Sequence, residues 1–352
     1  MIHIMEAWLG TTSVARHKHT MTQKRTSAPT ISQVAAAAGV SRSTVSRAFS
    51  RPGAIGQETA KRILEIAKEM GYSPNHTARA LSTGRHGNIG LIVPDVSNPF
   101  FPPLIRGAQV EADRADFCVF LGNSDENPAQ EAKLLERFSG QIEGVVLVSS
   151  RLTDEEIIAA AQIRPLVLVN RDVEGIPRVL IDSTIGVTEA LNHLVALGHT
   201  NIVYVSGPNM SWSNRMRRKA LKRAAKAADI EIISVHADTP TFDGGKAQAG
   251  PILASGATAA ICFDDLTAQG VMGGLAEKRV SVPNEFSIIG CDDVMGSMIY
   301  PALTSVSSPT LQAGRAAISM LIDRLDGNAS GDARYTLDTR LVVRDTTSQA
   351  IR

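Results

Sequence analysis

No stretch of this chain approaches the roughly 18 consecutive apolar residues of a membrane helix, and the first 29 residues hold only a short apolar patch, Ala7 to Leu9. That patch is no signal-peptide core, so a spanning anchor is excluded and export has no support. Cysteine is scarce: Cys118, Cys262 and Cys291 lie in apolar, strand-like runs without paired or metal-ligand spacing. The expectation is buried free thiols in a reducing cytoplasm. Histidine forms no cluster. Gly245-Lys246 is followed by Ala247 without the earlier glycine of a phosphate-binding loop. Asp264-Asp265 and Asp292-Asp293 are the acid pairs that could serve a metal or glycoside cleavage, yet nothing accompanies them, so no catalysis, cofactor or metal is expected.

What is present is a soluble composition, 43% hydrophobic over 352 residues, enough for two or three domains. The net charge of +1 hides a split. Residues 1 to 88 carry 12 Lys and Arg against 4 Asp and Glu, a balance of +8, and the remaining 24 and 31 give −7. A basic head on an acidic body suits a protein that grips phosphates with one end.

Within that head, residues 30 to 49 spell two short helices around a glycine turn. Thr30 with Gln33 three residues on is a capping box, and Ile31, Val34, Ala35 and Ala38 repeat at one-face helical spacing. Gly39 supplies the left-handed residue that ends the first helix, and Ser41 is placed to cap the second. Val45, Ala48 and Phe49 form an inward face, which turns Arg42, Ser43, Ser46 and Arg47 outward. Arginine can make two hydrogen bonds to a guanine edge, whereas serine reads bases weakly and also holds phosphate. Arg42, Ser43 and Arg47 are therefore the candidates for base reading. Read by itself the pair also fits a capped surface hairpin with solvated arginines. A third helix over 57 to 70, with Ile63, Leu64, Ile66, Ala67 and Met70 apolar and a stop at Gly71, completes a headpiece. Residues 73 to 81 then offer helix formers with almost nothing to bury, as a hinge that orders on DNA would.

Two motifs carry a family resemblance: Thr-Ile-x-x-Val-Ala-x-x-Ala-Gly-Val-Ser-x-x-Thr-Val-Ser-Arg from Thr30 to Arg47, and Gly-Tyr-x-Pro-Asn-x-x-Ala-Arg-x-Leu from Gly71 to Leu81. The chain resembles the lactose-repressor (LacI/GalR) family of transcription factors over residues 30 to about 347. The resemblance implies a dimer on a pseudo-palindromic operator, with DNA contacts from Thr30, Ser41, Arg42, Ser43, Thr44, Ser46 and Arg47. It also implies contacts from the hinge residues Asn75, Ala78, Arg79 and Leu81, the leucine acting as an apolar wedge in the minor groove. It places an N-terminal arm at 1–29, a helix-turn-helix domain at 30–74, a hinge at 75–87 and an effector domain at 88–352. The lobes of that domain are about 88–183 plus 309–337 and about 184–308 plus 338–352. Met21 is then a plausible true start, the alternative being an arm that adds phosphate contacts through Arg16, Lys18, Lys24 and Arg25. Residues 344 to 352 are too short and polar for the family's tetramer-forming tail.

The residues themselves support an α/β body. Apolar runs at Ile89 to Val93, Phe117 to Leu121, Gly144 to Val148 and Leu166 to Val169 alternate with helical stretches. A second series follows at Ile202 to Val205, Ile230 to Val235, Ala259 to Phe263 and Phe286 to Ile289. The expected fold is thus an all-α helix-turn-helix headpiece plus a two-lobed, periplasmic-binding-protein-like domain of parallel sheets flanked by helices.

Ligands of open sheets sit beyond the carboxyl ends of the strands. There the sequence places Asp95, Asn98, Phe100, Phe101, Asn123, Asp125, Ser149, Ser150, Asn170, Arg171, Ser211 to Arg217, Asp264 and Asp292. Acids and amides that take hydroxyls in pairs, arginine forks and an aromatic face suit a sugar. Asp95, Asn123 and Asp264 also fit helix caps, and Trp212 either lines the pocket or starts a helix. The resemblance narrows the effector set to Asn98, Phe100, Phe101, Arg171, Ser211, Ser213, Arg217, Asp264 and Asp292. Asp264 stands where many relatives have Asn, and Ser211 where a purine-binding branch carries arginine, which argues against a purine corepressor. The function expected is a DNA-binding regulator, a repressor by family tendency, controlled by a sugar-like effector. The alternative is a sugar receptor without a DNA role.

Overall fold

The computed structural model describes residues 29–50, 52–73, 87–237, 239–328 and 331–351. The arm before residue 29 and the hinge residues Asn75, Ala78, Arg79 and Leu81 lie outside them. Two compact units result, Met1–His76 and Thr77–Arg352.

The first unit contains α1 (Ile31–Ala38), α2 (Arg42–Ser50) and α3 (Gln57–Glu69). The Thr30 N–H donates to Gln33 Oε1 at 2.7 Å, and Gly39 ends α1 at φ 65°, where a side chain would be strained. Val34, Ala35, Ala38, Val45, Ala48, Ile63 and Ala67 make the core. Phe49 meets Tyr72 edge to face at 5.8 Å. Arg62 donates to the Ala38 carbonyl at 3.0 Å, tying α3 to the end of α1. Leu64 points outward.

The second unit has two lobes. Among the described residues the first lobe's sheet has six parallel strands in the order β11-β5-β4-β3-β1-β2: β1 (Asn88–Val93), β2 (Cys118–Asn123), β3 (Gly144–Val148), β4 (Leu166–Val169), β5 (Arg178–Asp182) and β11 (Arg334–Asp338). The helices α4 (Phe101–Arg114), α5 (Pro128–Phe138), α6 (Asp154–Ile163) and α12 (Thr310–Leu325) belong with this lobe. The second lobe's sheet has the order β12-β10-β9-β8-β6-β7: β6 (Ile202–Ser206), β7 (Ile232–His236), β8 (Ala259–Cys262), β9 (Ser287–Asp292), β10 (Thr304–Ser307) and an antiparallel β12 (Arg340–Val342). With it go α7 (Thr184–Ala196), α8 (Trp212–Ala227), α9 (Phe242–Ala247), α10 (Ala249–Ala254) and α11 (Asp265–Glu277). Each sheet is buried on both faces, which is why its central strands read as continuous apolar runs.

The chain passes between lobes three times: after β5, after β10, and from β11 to β12. Thr339 ties two of these crossings together. Its hydroxyl donates to the Asp182 carbonyl at 3.0 Å and accepts from the Gly186 N–H at 3.3 Å. Gly186 is small of necessity, since a Cβ there would come within 2.4 Å of Val306 Cγ1.

Several expectations need correction. Cys118 is exposed, because β2 is a sheet edge, whereas Cys262 and Cys291 are buried. β2 begins at Cys118, since Phe117 closes α4 by donating to the Ala112 carbonyl, and β7 begins at Ile232, since Ile230 closes α8 through the Ala225 carbonyl. In both places an aspartate precedes in the left-handed region, Asp116 at 61° and Asp229 at 56°. β9 runs on to Asp292. The two series of apolar runs leave out four strands: β5, whose run Val179 to Ile181 is only three residues long, and β10, β11 and β12, which have no such run within their bounds.

Candidate functional site

The headpiece shows the surface that its pattern implied. Arg42, Ser43, Ser46 and Arg47 are exposed on one side of α2 while Val45 and Ala48 are buried on the other. Ser41 caps the helix: its hydroxyl accepts from the Thr44 N–H at 3.1 Å and contacts the hydroxyls of Ser43 at 2.7 Å and Thr44 at 2.9 Å. A row of hydroxyls with Arg42 at the helix N-terminus, and Arg47 on the same exposed side in its last turn, is chemistry suited to phosphate and base edges.

The second site lies between the lobes. From the first lobe come Asn98, Phe100, Phe101, Glu126, Ser149, Arg151 and Asn170, and from the second Ser211, Ser213, Arg217, Pro240, Phe263, Asp264 and Asp292. All but Phe101 and Ser213, which sit in the first turns of α4 and α8, Arg217, one turn further into α8, and Asp292, the last residue of β9, lie in loops, and most of those loops leave the carboxyl ends of strands. Glu126 (57°), Ser149 (48°), Asn170 (53°) and Asp292 (108°) hold positive φ values. Non-glycine residues there cost on the order of 1–3 kcal/mol each, strain that gathers at binding sites. Asn170 is braced in that conformation by the Ile181 N–H, which donates to its side-chain oxygen at 3.0 Å.

Arg217 is the centre of the second lobe's half. Its guanidinium donates to Asp292 Oδ1 at 3.1 Å and to the Phe263 carbonyl, and lies over the Phe263 ring at 5.0 Å. Its Nε is buried without a partner among the described residues, a donor left for a ligand oxygen. Burial works against its charge, but Cys291, Asp292, Tyr204 and Asp264 hold its pKa above the ordinary guanidinium value. Burial raises the Asp292 carboxyl to about 7, with Arg217 pulling the other way. Asp264 is likewise raised by burial. Beneath them Asp265 accepts from Ser305 at 2.5 Å and from the Val294 and Met295 N–H groups, anchoring the loop after β9.

One contact spans the cleft: Asn98 Nδ2 donates to Asp264 Oδ2 at 3.0 Å. Asn98 is fixed by the Phe100 N–H, which donates to its oxygen at 3.0 Å, and Asp264 by the Thr267 N–H at 2.7 Å. Asp264 is thus both a helix cap and a pocket wall. Trp212 is buried at the start of α8, outside the lining. Ser211 lines the pocket and caps the same helix, accepting from the Asn214 N–H at 3.2 Å.

Of the effector residues read from sequence, Asn98, Phe100, Phe101, Ser211, Ser213, Arg217, Asp264 and Asp292 come together. Arg171 does not line the cleft: its guanidinium donates to the Leu152 carbonyl at 2.9 Å and to Asp154 Oδ1 at 2.7 Å. Asp95, Asn123, Asp125 and Ser150 also fall outside the lining. Asp95 organises its own loop, accepting from the Ser97 N–H at 2.8 Å, and Asn123 ties the end of β2 to the loop after β1, accepting from the Val96 N–H at 2.8 Å. Glu126 and Arg151 are lining residues that sequence reasoning missed. Arg151 donates to Glu126 Oε2 at 2.5 Å and to the Ser149 carbonyl at 2.7 Å, while its own N–H donates to the buried Glu131 at 2.9 Å. The sequence signal for Arg151 is its position just after β3, behind two serines that occupy the same strand end.

Comparison with known proteins identifies both domains. Residues 30–75 match the model of bacterial regulatory proteins, lacI family, and residues 191–347 match a periplasmic binding protein-like domain. The HTH-type transcriptional regulator RegA of Clostridium saccharobutylicum is 32% identical over 91% of this chain and 99% of its own. The chain belongs to the lacI family of regulators. As in that family generally, it is a DNA-binding transcriptional regulator with an effector domain. Its fold matches a Lac repressor dimer bound to operator and the anti-inducer ONPF, with a TM-score of 0.80 at 24% identity, covering 91% of this chain and 99% of that one. A LacI family regulator from Enterococcus faecium with bound ribose aligns at a TM-score of 0.68 and 28% identity, over 75% of this chain and all of that one. Among the described residues no helix is long and apolar enough to cross a membrane.

Proposed function

We propose that this chain is a cytoplasmic, dimeric repressor whose operator affinity is set by a neutral sugar-like effector held between the lobes. The observation that carries the reading is the pairing of Arg217 with Asp292, and of Asn98 with Asp264, in one cleft contributed by both lobes. A carboxylate beside an arginine offers an acceptor and a donor to adjacent hydroxyls, and Phe100 and Phe101, packed edge to face at 5.0 Å, supply an apolar wall for ring C–H groups. The ribose bound to the Enterococcus faecium regulator supports the same ligand class. A ligand controls DNA binding only by favouring one arrangement of the lobes.

On the DNA side the reading assigns base contacts to Arg42, Ser43 and Arg47. Thr30, Ser41, Thr44 and Ser46 contribute phosphate contacts. Asn75, Ala78, Arg79 and Leu81 are assigned to the minor groove. The N-lobe in this reading is about 88–183 plus 309–337.

The test is a melting-temperature screen of the purified protein against pentoses, hexoses, disaccharides, sugar phosphates and nucleobases. A ligand of the native state adds about 2.7 kcal/mol at a hundredfold excess over Kd. The expected result is one neutral sugar that raises the melt, alters operator binding and loses both effects in Asp292→Ala. A response confined to phosphorylated or purine ligands would overturn the effector assignment, and operator binding that survives deletion of residues 30–81 would overturn the DNA assignment.

A further inference from the structure

On the second lobe, away from the cleft, a groove of about 970 Å³ runs between α8 and the edge strand β7. Its floor is apolar, with Leu221, Ala225, Ile230 and Ile232 continuous with the core of that lobe. Its rim is basic. Helix α8 carries seven Lys and Arg and no acid in sixteen residues, within a body whose balance is −7 over residues 89 to 352. Arg217 turns into the cleft, but Arg218, Lys219, Lys222 and Lys226 are exposed over the groove. None of these four has an ion-pair partner among the described residues. Asp229 and Glu231 at one end leave the rim net positive.

β7 itself is Ile-Ile-Ser-Val-His and, among the described residues, pairs with β6 on one side only. Sheet edges are ordinarily guarded by lysine, proline or a bulge on the strand, and this one has none of the three. An open strand edge beside an apolar floor and a basic rim matches one mode of recognition, in which an extended segment adds to the sheet, its main chain pairing with the edge and alternate side chains entering the groove.

We infer that β7 and α8 form a docking surface for an acidic extended segment of a partner protein, which adds as a strand to β7 with its carboxylates against Arg218, Lys219 and Lys222. The free cations select the acidic sequence, and the edge and floor select an extended chain over a compact anion. This surface shares α8 with the effector cleft but none of the cleft's lining residues.

The test is fluorescence anisotropy of the full-length protein with a short labelled peptide alternating Glu with Val, alongside the same peptide carrying Lys in place of Glu. The acidic peptide is expected to bind and the basic one not. Arg218→Glu/Lys222→Glu should weaken binding roughly tenfold or more, with Arg218→Gln/Lys222→Gln intermediate. These substitutions are on the surface, and an unchanged melting temperature with unchanged operator binding checks the fold. Amide exchange over Ile232–His236 should slow when the acidic peptide is bound. Equal binding of both peptides, binding indifferent to the two variants, or binding without slowed exchange at β7 would overturn the inference. So would self-association by sedimentation that the glutamate variant abolishes, which would make a second copy the occupant, or a polyanion such as heparin competing where the acidic peptide does not bind.

Discussion

Asp292 shows how one residue couples site and stability. Its carboxyl, buried beside Asp264 and opposed by Arg217, holds its proton to about pH 7, whereas in an unfolded chain it would release it near pH 4. Between those values the folded chain binds the extra proton, so stability present below pH 4 is lost as pH rises through 7. The melting temperature of the ligand-free protein should therefore fall from pH 5 to pH 8. Asp292→Asn should flatten that slope, leaving the part due to Asp264 and Asp265, which burial shifts the same way, Asp265 to about 8. A slope unchanged in the variant would show that Asp292 does not titrate in this window. In the headpiece, Arg42→Ala and Arg47→Ala should each cost about 1–3 kcal/mol of operator affinity if the side chain forks onto a base. Removing a base-reading arginine relaxes preference at one base pair, whereas removing a phosphate-binding one weakens all sequences alike. Anisotropy titrations against single-base operator variants at fixed salt separate the two.

Among elements, α4 and α12 make the closest approach in the first lobe, through a reciprocal pair of glycines. A Cβ on Gly107 would lie 2.1 Å from the Leu311 carbonyl oxygen, and one on Gly314 would lie 2.0 Å from that of Leu104. Both obstacles are backbone, so the helices themselves must separate. Gly107→Val is expected to cost at least ~1–3 kcal/mol, read as a lower urea midpoint with an unchanged slope. Such spacing is not visible in sequence, where Gly107 is one small residue in an amphipathic helix. What is visible follows from burial. β3 and β4 are covered on both faces and, beyond Gly144, read as unbroken Val and Leu, while the capping box at Thr30 and the turn at Gly39 are local chemistry. The strands without an apolar signature have other reasons to be strands. β10, Thr-Ser-Val-Ser, pairs its buried hydroxyls internally, Ser305 donating to Asp265 and Thr304 accepting from the Arg344 N–H, while β11 is a mostly exposed edge and β12 a half-buried one. The same holds in the cleft. Residues directly after apolar strands are legible, whereas Arg151 owes its place to Glu126 and Glu131, a partnership that only the tertiary fold assembles. Arg171 sits after β4 as expected, and Asp154 at the start of α6 draws it aside.

For the whole molecule, the charge split predicts steep salt dependence. Operator affinity should fall linearly in log–log form as salt rises, with a slope of about 0.9 per phosphate neutralised, whereas effector affinity in a cleft of mixed charge should barely change. Isothermal titrations of both ligands across a salt series test this in one protein, and a salt-insensitive operator affinity would contradict it. The narrowness of the cleft has a kinetic meaning as well. With Asn98 bonded across to Asp264, the space left among the lining side chains is about 40 Å³, room for roughly one or two waters. A hexose does not fit such a space, so the crossings between the lobes, two of them tied together at Thr339, must flex before the effector arrives. Capture then waits on opening: in rapid mixing, the observed rate should climb with sugar concentration and level off at the opening rate, and weakening the Asn98 bridge by Asp264→Ala should lift that ceiling.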